Sequence, residues 1–296
     1  MYRKSPQYRA NNGYIGMDTH FLVSLLKLTG PIKTPTTGDT FTADNVVEKL
    51  EIYAEKIVLN EANRKGFMGE LMREILSRLT RAKSDQWSDI INTMITSFNE
   101  KHVLFYSKDA EVNKLLEKYN WAGRIKDYEG DYLHINDTNF AGAKANLYVT
   151  QKIMQDITID GDGTVTKKVT VEVTNPAKYD GWLNGPYRDW IRMYVPKGSE
   201  FIGAEGGEVK TLVTGDELGK TMFESFFTAR PLGTSSSNKA TWSVTYKLPF
   251  KITGREIRVL QQKQPGVDGP EVMIIVNGQV KVSEQLRTDK EFTLSF

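Results

Sequence analysis

The spacing of apolar residues changes near Lys144: before it they recur every three or four residues, as on one face of a helix, and after it they alternate, as on one face of a strand. A chain with two periods needs two kinds of core, which predicts two domains of different class. At 296 residues, each half is long enough to bury its own. The expectation is an α+β two-domain chain, with a helix-rich α/β domain over residues 1–142 and an immunoglobulin-like β-sandwich over 143–296.

The first half is heavily punctuated. Tyr14 to Met17 forms a short strand candidate, Asp18 supplies an N-cap, Phe21, Leu22, Leu25, Leu26 and Leu28 form a helical stripe, and Gly30-Pro31 stops it. A second helix starts after Thr42 and turns Val46, Val47, Leu50, Tyr53 and Ile57 inward; a third carries Phe67, Met68, Leu71, Met72, Ile75, Leu76 and Leu79. Ser84 caps a fourth, with Trp87, Ile90, Ile91, Met94, Ile95 and Phe98 at three-and-four spacing, ahead of the strand-like Val103 to Tyr106. Asp109 begins a fifth that buries Val112, Leu115, Leu116 and Tyr119, and Asp131 to Ile135 closes the half with another strand.

From Asn146 onward the elements are short strands separated by turn residues. Leu147 to Ile159 and Val165 to Val173 flank Asp160-Gly161-Asp162-Gly163, and Asn277-Gly278 is the preferred dipeptide for a type I′ hairpin, whose central residues both need positive φ. Many strands without a long helix predict the sandwich. Asp160-Gly161-Asp162-Gly163-Thr164 begins like a calcium loop, but its twelfth position is Val171 where a bidentate Glu is needed, so a tight turn is the better reading.

Composition excludes several functions. A net charge of +2 spread over both halves offers no concentrated basic surface for a phosphate backbone, so nucleic acid is not an expected partner. Cysteine is absent, which removes disulfides and thiolate metal sites, and His20, His102 and His134 stand too far apart in sequence to be proposed as metal ligands. Neither a nucleophile elbow, a phosphate-binding Gly-rich loop nor a His-Glu-x-x-His helix occurs, so no catalytic residue is nominated and no cofactor is expected. No apolar run is long enough for a signal peptide or a membrane span.

The run Ile15-Gly16-Met17-Asp18-Thr19-His20-Phe21-Leu22 through Leu28-Thr29-Gly30-Pro31-Ile32, then Gly130-Asp131-Tyr132-Leu133 with Asn139 and Gly142-Ala143-Lys144, Tyr187-Arg188-Asp189-Trp190, Gly219-Lys220-Thr221-Met222-Phe223 and Gln262-Lys263-Gln264-Pro265-Gly266 resemble the bacterial family catalogued as domain of unknown function 4012. The resemblance runs over essentially the whole chain. It implies an extracytoplasmic, cell-envelope protein held by a membrane helix upstream of Met1. A more distant similarity links the first half to part of the LytR-CpsA-Psr family, which transfers glycopolymers from polyprenyl pyrophosphate. That chemistry uses arginines to clamp the diphosphate beside a divalent ion. The matching helix here reads Val46-Val47-Glu48-Lys49-Leu50-Glu51-Ile52-Tyr53, with no arginine where the clamp belongs.

The candidate ligand-binding residues are therefore few. Arg64, Lys65, Arg124 and Lys144 are the cations left to meet an anion, and Trp182, Tyr187 and Trp190, with Tyr179, crowd a Gly- and Pro-rich connection where aromatic faces stack on sugar rings or on a protein. The favoured reading is a non-catalytic envelope module that binds a wall glycopolymer or an envelope protein. The alternatives are a glycopolymer phosphotransferase that requires Mg2+ and an upstream catalytic half, and a surface structural or adhesive protein.

Overall fold

A computed structural model describes residues 11–56 and 66–296. The chain is mixed α+β, with two compact units, residues 1–124 with 265–267 and residues 125–264 with 268–296.

In the first unit, β1 (Gly13–Met17) pairs antiparallel with β4 (Val103–Ser107), and β2 (Ile32–Lys33) with β3 (Thr40–Phe41). Helices α1 (Thr19–Thr29), α2 (Val46–Glu51, continued by a π-turn to Lys56), α3 (Gly66–Thr80), α4 (Trp87–Asn99) and α5 (Ala110–Lys118) complete it. The three-and-four spacing buries Phe21, Leu25 and Leu26 of α1 against Phe67, Leu71 and Ile75 of α3 in one cluster. Gly30, at φ 76°, ends α1 as expected.

Three expectations fail here. Ser84 is not the cap of α4 but opens a 3-10 turn, Ser84–Gln86, that precedes it. The stripe on α5 is not buried: Leu115 is 54% and Tyr119 58% exposed. On α4, Trp87, Ile91 and Ile95 also face outward, as do Leu76 of α3 and Ile15 of β1. Amphipathic spacing fixes which residues share a face and says nothing of whether another element covers it. Ile57 lies outside the described residues.

The second unit holds β5 (Asp131–Asn136), β6 (Thr150–Ile159), β7 (Thr164–Thr174), β8 (Tyr187–Pro196), β9 (Glu200–Gly206), β10 (Val213–Glu217), β11 (Lys220–Ala229), β12 (Lys239–Lys251), β13 (Glu256–Gln262), β14 (Glu271–Val276), β15 (Gln279–Gln285) and β16 (Lys290–Ser295). They form two six-stranded sheets, ordered β10-β11-β8-β5-β13-β16 and β15-β14-β6-β7-β12-β9. Leu133, Ile191 and Val259 of the first sheet share one core with Ile153, Val169 and Val244 of the second. Period-two alternation thus has its usual cause, one face in and one out.

The division between units falls at Arg124/Ile125, where the sequence reading places it at 142/143. The displaced element is β5: its fully buried run from Asp131 to Ile135 pairs antiparallel with β8 and parallel with β13, strands remote in sequence. The two hairpin readings hold. Gly163 (φ 81°) turns β6 into β7, and Asn277 and Gly278, both at positive φ (48° and 78°), turn β14 into β15.

Among the buried polar side chains of this unit, two groupings of ionisable residues bear on its stability. Lys167 of β7 donates to Asp131 of β5 across the core, both with no exposed side-chain surface, so the bond joins the two sheets. Burial pushes the Asp131 carboxyl up and the Lys167 ammonium down, and each partner's charge opposes that displacement. The second group is Asp189 of β8, which accepts from the Thr138 N–H at 2.7 Å and faces the Asp137 carboxyl. Burial, followed by the Asp137 charge, pushes Asp189 up to about 10, and burial raises Asp137 as well.

Candidate functional site

Helix ends bring two imidazoles and a carboxylate together in the first unit. After α4, Lys101 takes a left-handed conformation (φ 62°), its N–H donates to Phe98 O at 3.1 Å, and the His102 N–H donates to Ser97 O at 2.9 Å. This is a Schellman ending with lysine where glycine is usual. It delivers His102 to the start of β4, opposite the end of β1.

Asp18 follows β1 directly. Its N–H donates to the His102 carbonyl at 3.1 Å, one carboxylate oxygen accepts from the Phe21 N–H at 3.0 Å as the cap of α1, and the other lies 2.7 Å from His102 Nδ1. One residue thus starts a helix and orients an imidazole. His20, on the first turn of α1, stacks on the His102 ring at 4.8 Å with 24° between planes, and its Nδ1 lies 3.9 Å from the same Asp18 oxygen. Glu100 Oε2 is 3.7 Å from His102 Nε2. Gly266, at φ 75°, bonds its N–H to Lys101 O at 3.2 Å, and a Cβ added there would sit 3.9 Å from the Asp18 carboxylate.

Burial works to raise the Asp18 carboxyl, but the His102 hydrogen bond, the Phe21 N–H and the two imidazoles together hold it below the ordinary aspartate range. Side-chain exposure is 19% for Asp18, 10% for His102 and 44% for His20, so the group opens to solvent on the His20 side. Asp18, His20 and His102 offer donor atoms within 4.8 Å of one another. The sequence reading missed this because 84 residues separate Asp18 from His102 and because a lysine in left-handed conformation leaves no signal in the sequence.

The nominated residues fare differently. Arg64 and Lys65 lie outside the described residues. Arg124 is exposed and its guanidinium donates to Glu117 at 3.1 Å. Lys144 is half-buried before the 3-10 turn Ala145–Leu147. Trp182 is half-buried in a loop where its N–H donates to Asp180 at 2.8 Å, and Tyr179 is exposed. Tyr187 is not available to a ligand: as the inward residue at the start of β8 it lies in the sandwich core.

Trp190 faces outward on the same strand. The β8–β11 register sets it opposite Phe226, with ring centroids 4.3 Å apart, and Phe140 meets Phe226 edge-on at 5.7 Å. Arg188, the next outward residue of β8, lies over the Phe226 ring at 4.0 Å and is bound by Glu208 through two hydrogen bonds of 3.1 and 2.7 Å. Phe140 is 61% exposed. The result is an aromatic cluster, half-buried at Trp190 and Phe226 and open at Phe140, edged by a fixed guanidinium–carboxylate pair.

No family model and no curated protein matches the chain. Among solved structures, a substituted M1 zinc metallopeptidase of Deinococcus radiodurans bound to a Tyr-Ser-Ala substrate is 10% identical over 50% of this chain and 39% of that one, with a TM-score of 0.26. The M1 zinc metallopeptidase of the same organism without the substitution is 9% identical, with a TM-score of 0.24 over 50% of this chain and 38% of that one. This chain therefore spans well under half the length of these peptidases, and likenesses this slight carry no argument about fold or activity.

Proposed function

We propose that this protein is an extracytoplasmic cell-envelope module that binds a wall glycopolymer through the outer face of its second unit, without catalysing a reaction itself. The observation that carries the reading is the aromatic group of half-buried Trp190 and Phe226 with exposed Phe140, beside Arg188 and Glu208. Aromatic faces stack on the C–H faces of sugar rings, while a held guanidinium and carboxylate offer donors and acceptors to ring hydroxyls. The proposal includes the envelope location, membership of the domain of unknown function 4012 family, the partial LytR-CpsA-Psr-like character of the first unit and the immunoglobulin-like character of the second. Two sheets closed on one core support the last, although the pairs β5–β13 and β6–β14 run parallel.

The test is titration of the whole chain with a purified bacterial wall glycopolymer, followed by calorimetry. Trp190→Ala should weaken binding by at least about tenfold, the loss of about 1–2 kcal/mol expected of one stacked aromatic, while the far-ultraviolet dichroism stays unchanged. Absence of saturable binding, or binding that Trp190→Ala leaves intact, would overturn the reading.

A further inference from the structure

We propose that Asp18, His20 and His102 bind a divalent transition-metal ion of the zinc class, a site independent of the glycopolymer surface. Two imidazoles and one carboxylate are a donor set that suits such an ion and leaves room for water or an oxygen ligand. The chain contains three histidines and no cysteine, so a nitrogen-ligated site has few ways to be built. His134 is buried in the second unit, where Nδ1 meets Gln262 O at 3.1 Å. The other two histidines are the ones brought to Asp18.

The geometry is close to what an ion requires. Zinc–nitrogen and zinc–oxygen bonds of about 2.0–2.2 Å place tetrahedral donors roughly 3.3–3.5 Å apart. The donors here stand 2.7 Å apart for Asp18 and His102 and 3.9 Å for Asp18 and His20, and all lie within 4.8 Å. Because the rings are stacked, their lone pairs must be turned toward a common point. The more exposed ring, His20, supplies that movement by rotating about its Cβ–Cγ bond, and the ion then replaces a proton shared between His102 Nδ1 and Asp18.

The surroundings also resemble those of metal ligands. A ligating imidazole commonly gives its second nitrogen to a carboxylate, and Glu100 lies 3.7 Å from His102 Nε2. A ligating carboxylate is commonly fixed by a further hydrogen bond, and the Phe21 N–H fixes Asp18 at 3.0 Å. Both supports come from the helix ends, which exist whether or not an ion is bound.

The experiment uses the untagged full chain, stripped with chelator, titrated with Zn2+ by calorimetry and with Co2+ by visible absorption. One equivalent should bind, and Co2+ should give the intense bands of a low-coordinate site. His20→Ala should weaken Zn2+ binding by at least about tenfold. Asp18→Asn, which keeps a capping oxygen for α1, should do the same with little loss of thermal stability, and His134→Gln should bind as the parent does. No saturable binding, binding untouched by both His20→Ala and Asp18→Asn, or binding lost in His134→Gln with the fold intact would overturn the proposal.

Discussion

Asp18 and His102 are joined twice, through the Asp18 N–H to the His102 carbonyl at 3.1 Å and through the carboxylate to Nδ1 at 2.7 Å. The double link ties the start of α1 to the end of α4, so disturbing either residue should be felt in both helices. Asp18→Ala removes the cap of α1 and the imidazole's partner, and should cost about 1–2 kcal/mol in urea unfolding, whereas Asp18→Asn should cost less.

The same carboxylate sets a pH dependence. Its folded pKa lies below the unfolded value of about 3.9, so its contribution is complete above that value and is lost as pH falls through the folded one. Between pH 6 and pH 3 the parent's urea midpoint should therefore fall more than that of Asp18→Asn. Parallel curves would contradict this.

Asp189 has the opposite sign. Its folded pKa, near 10, lies above the unfolded value, so its favourable contribution is full at low pH and declines as pH rises from about 4 toward 10. Asp189→Asn keeps an acceptor for the Thr138 N–H and removes the ionisation. The variant should lose less stability than the parent between pH 6 and pH 9, as measured by denaturant midpoints.

Asn120 holds the position after α5 that Lys101 holds after α4, at φ 64°, with the Trp121 N–H bonded to Leu116 O at 2.8 Å. A side chain in that conformation carries a steric cost that glycine lacks. Asn120→Gly should raise stability by about 0.5–1 kcal/mol, and a decrease would show that the Asn side chain stabilises the turn.

Lys167 and Asp131 form the internal ion pair of the sandwich. Lys167→Met strands a carboxyl in the core and should cost about 3–5 kcal/mol, while Lys167→Met with Asp131→Leu should recover most of the loss. Calorimetric melting of the two variants checks the difference.

Local punctuation was legible in the sequence. The Asp18 cap, the Gly30 stop and the Asn277-Gly278 turn are read correctly because each rests on the conformational needs of one or two residues. The elements that went astray depend on distant partners. β5 joins the sandwich only through β8 and β13, and β11, with its Lys220-Thr221-Met222-Phe223 start, was not read as a strand. The outward position of Trp190 and the inward one of Tyr187 follow from strand parity, which a Gly- and Pro-rich connection hides. His20 and His102 were out of reach for the same reason as β5.

The uncovered side chains of Leu115, Tyr119, Ile91 and Ile95 have a practical corollary. Environment-sensitive dyes that report melting by lighting up on apolar surface will find such surface on the native molecule, so their starting fluorescence should be high and their transitions shallow. Circular dichroism or tryptophan emission is the sounder probe of this chain's unfolding.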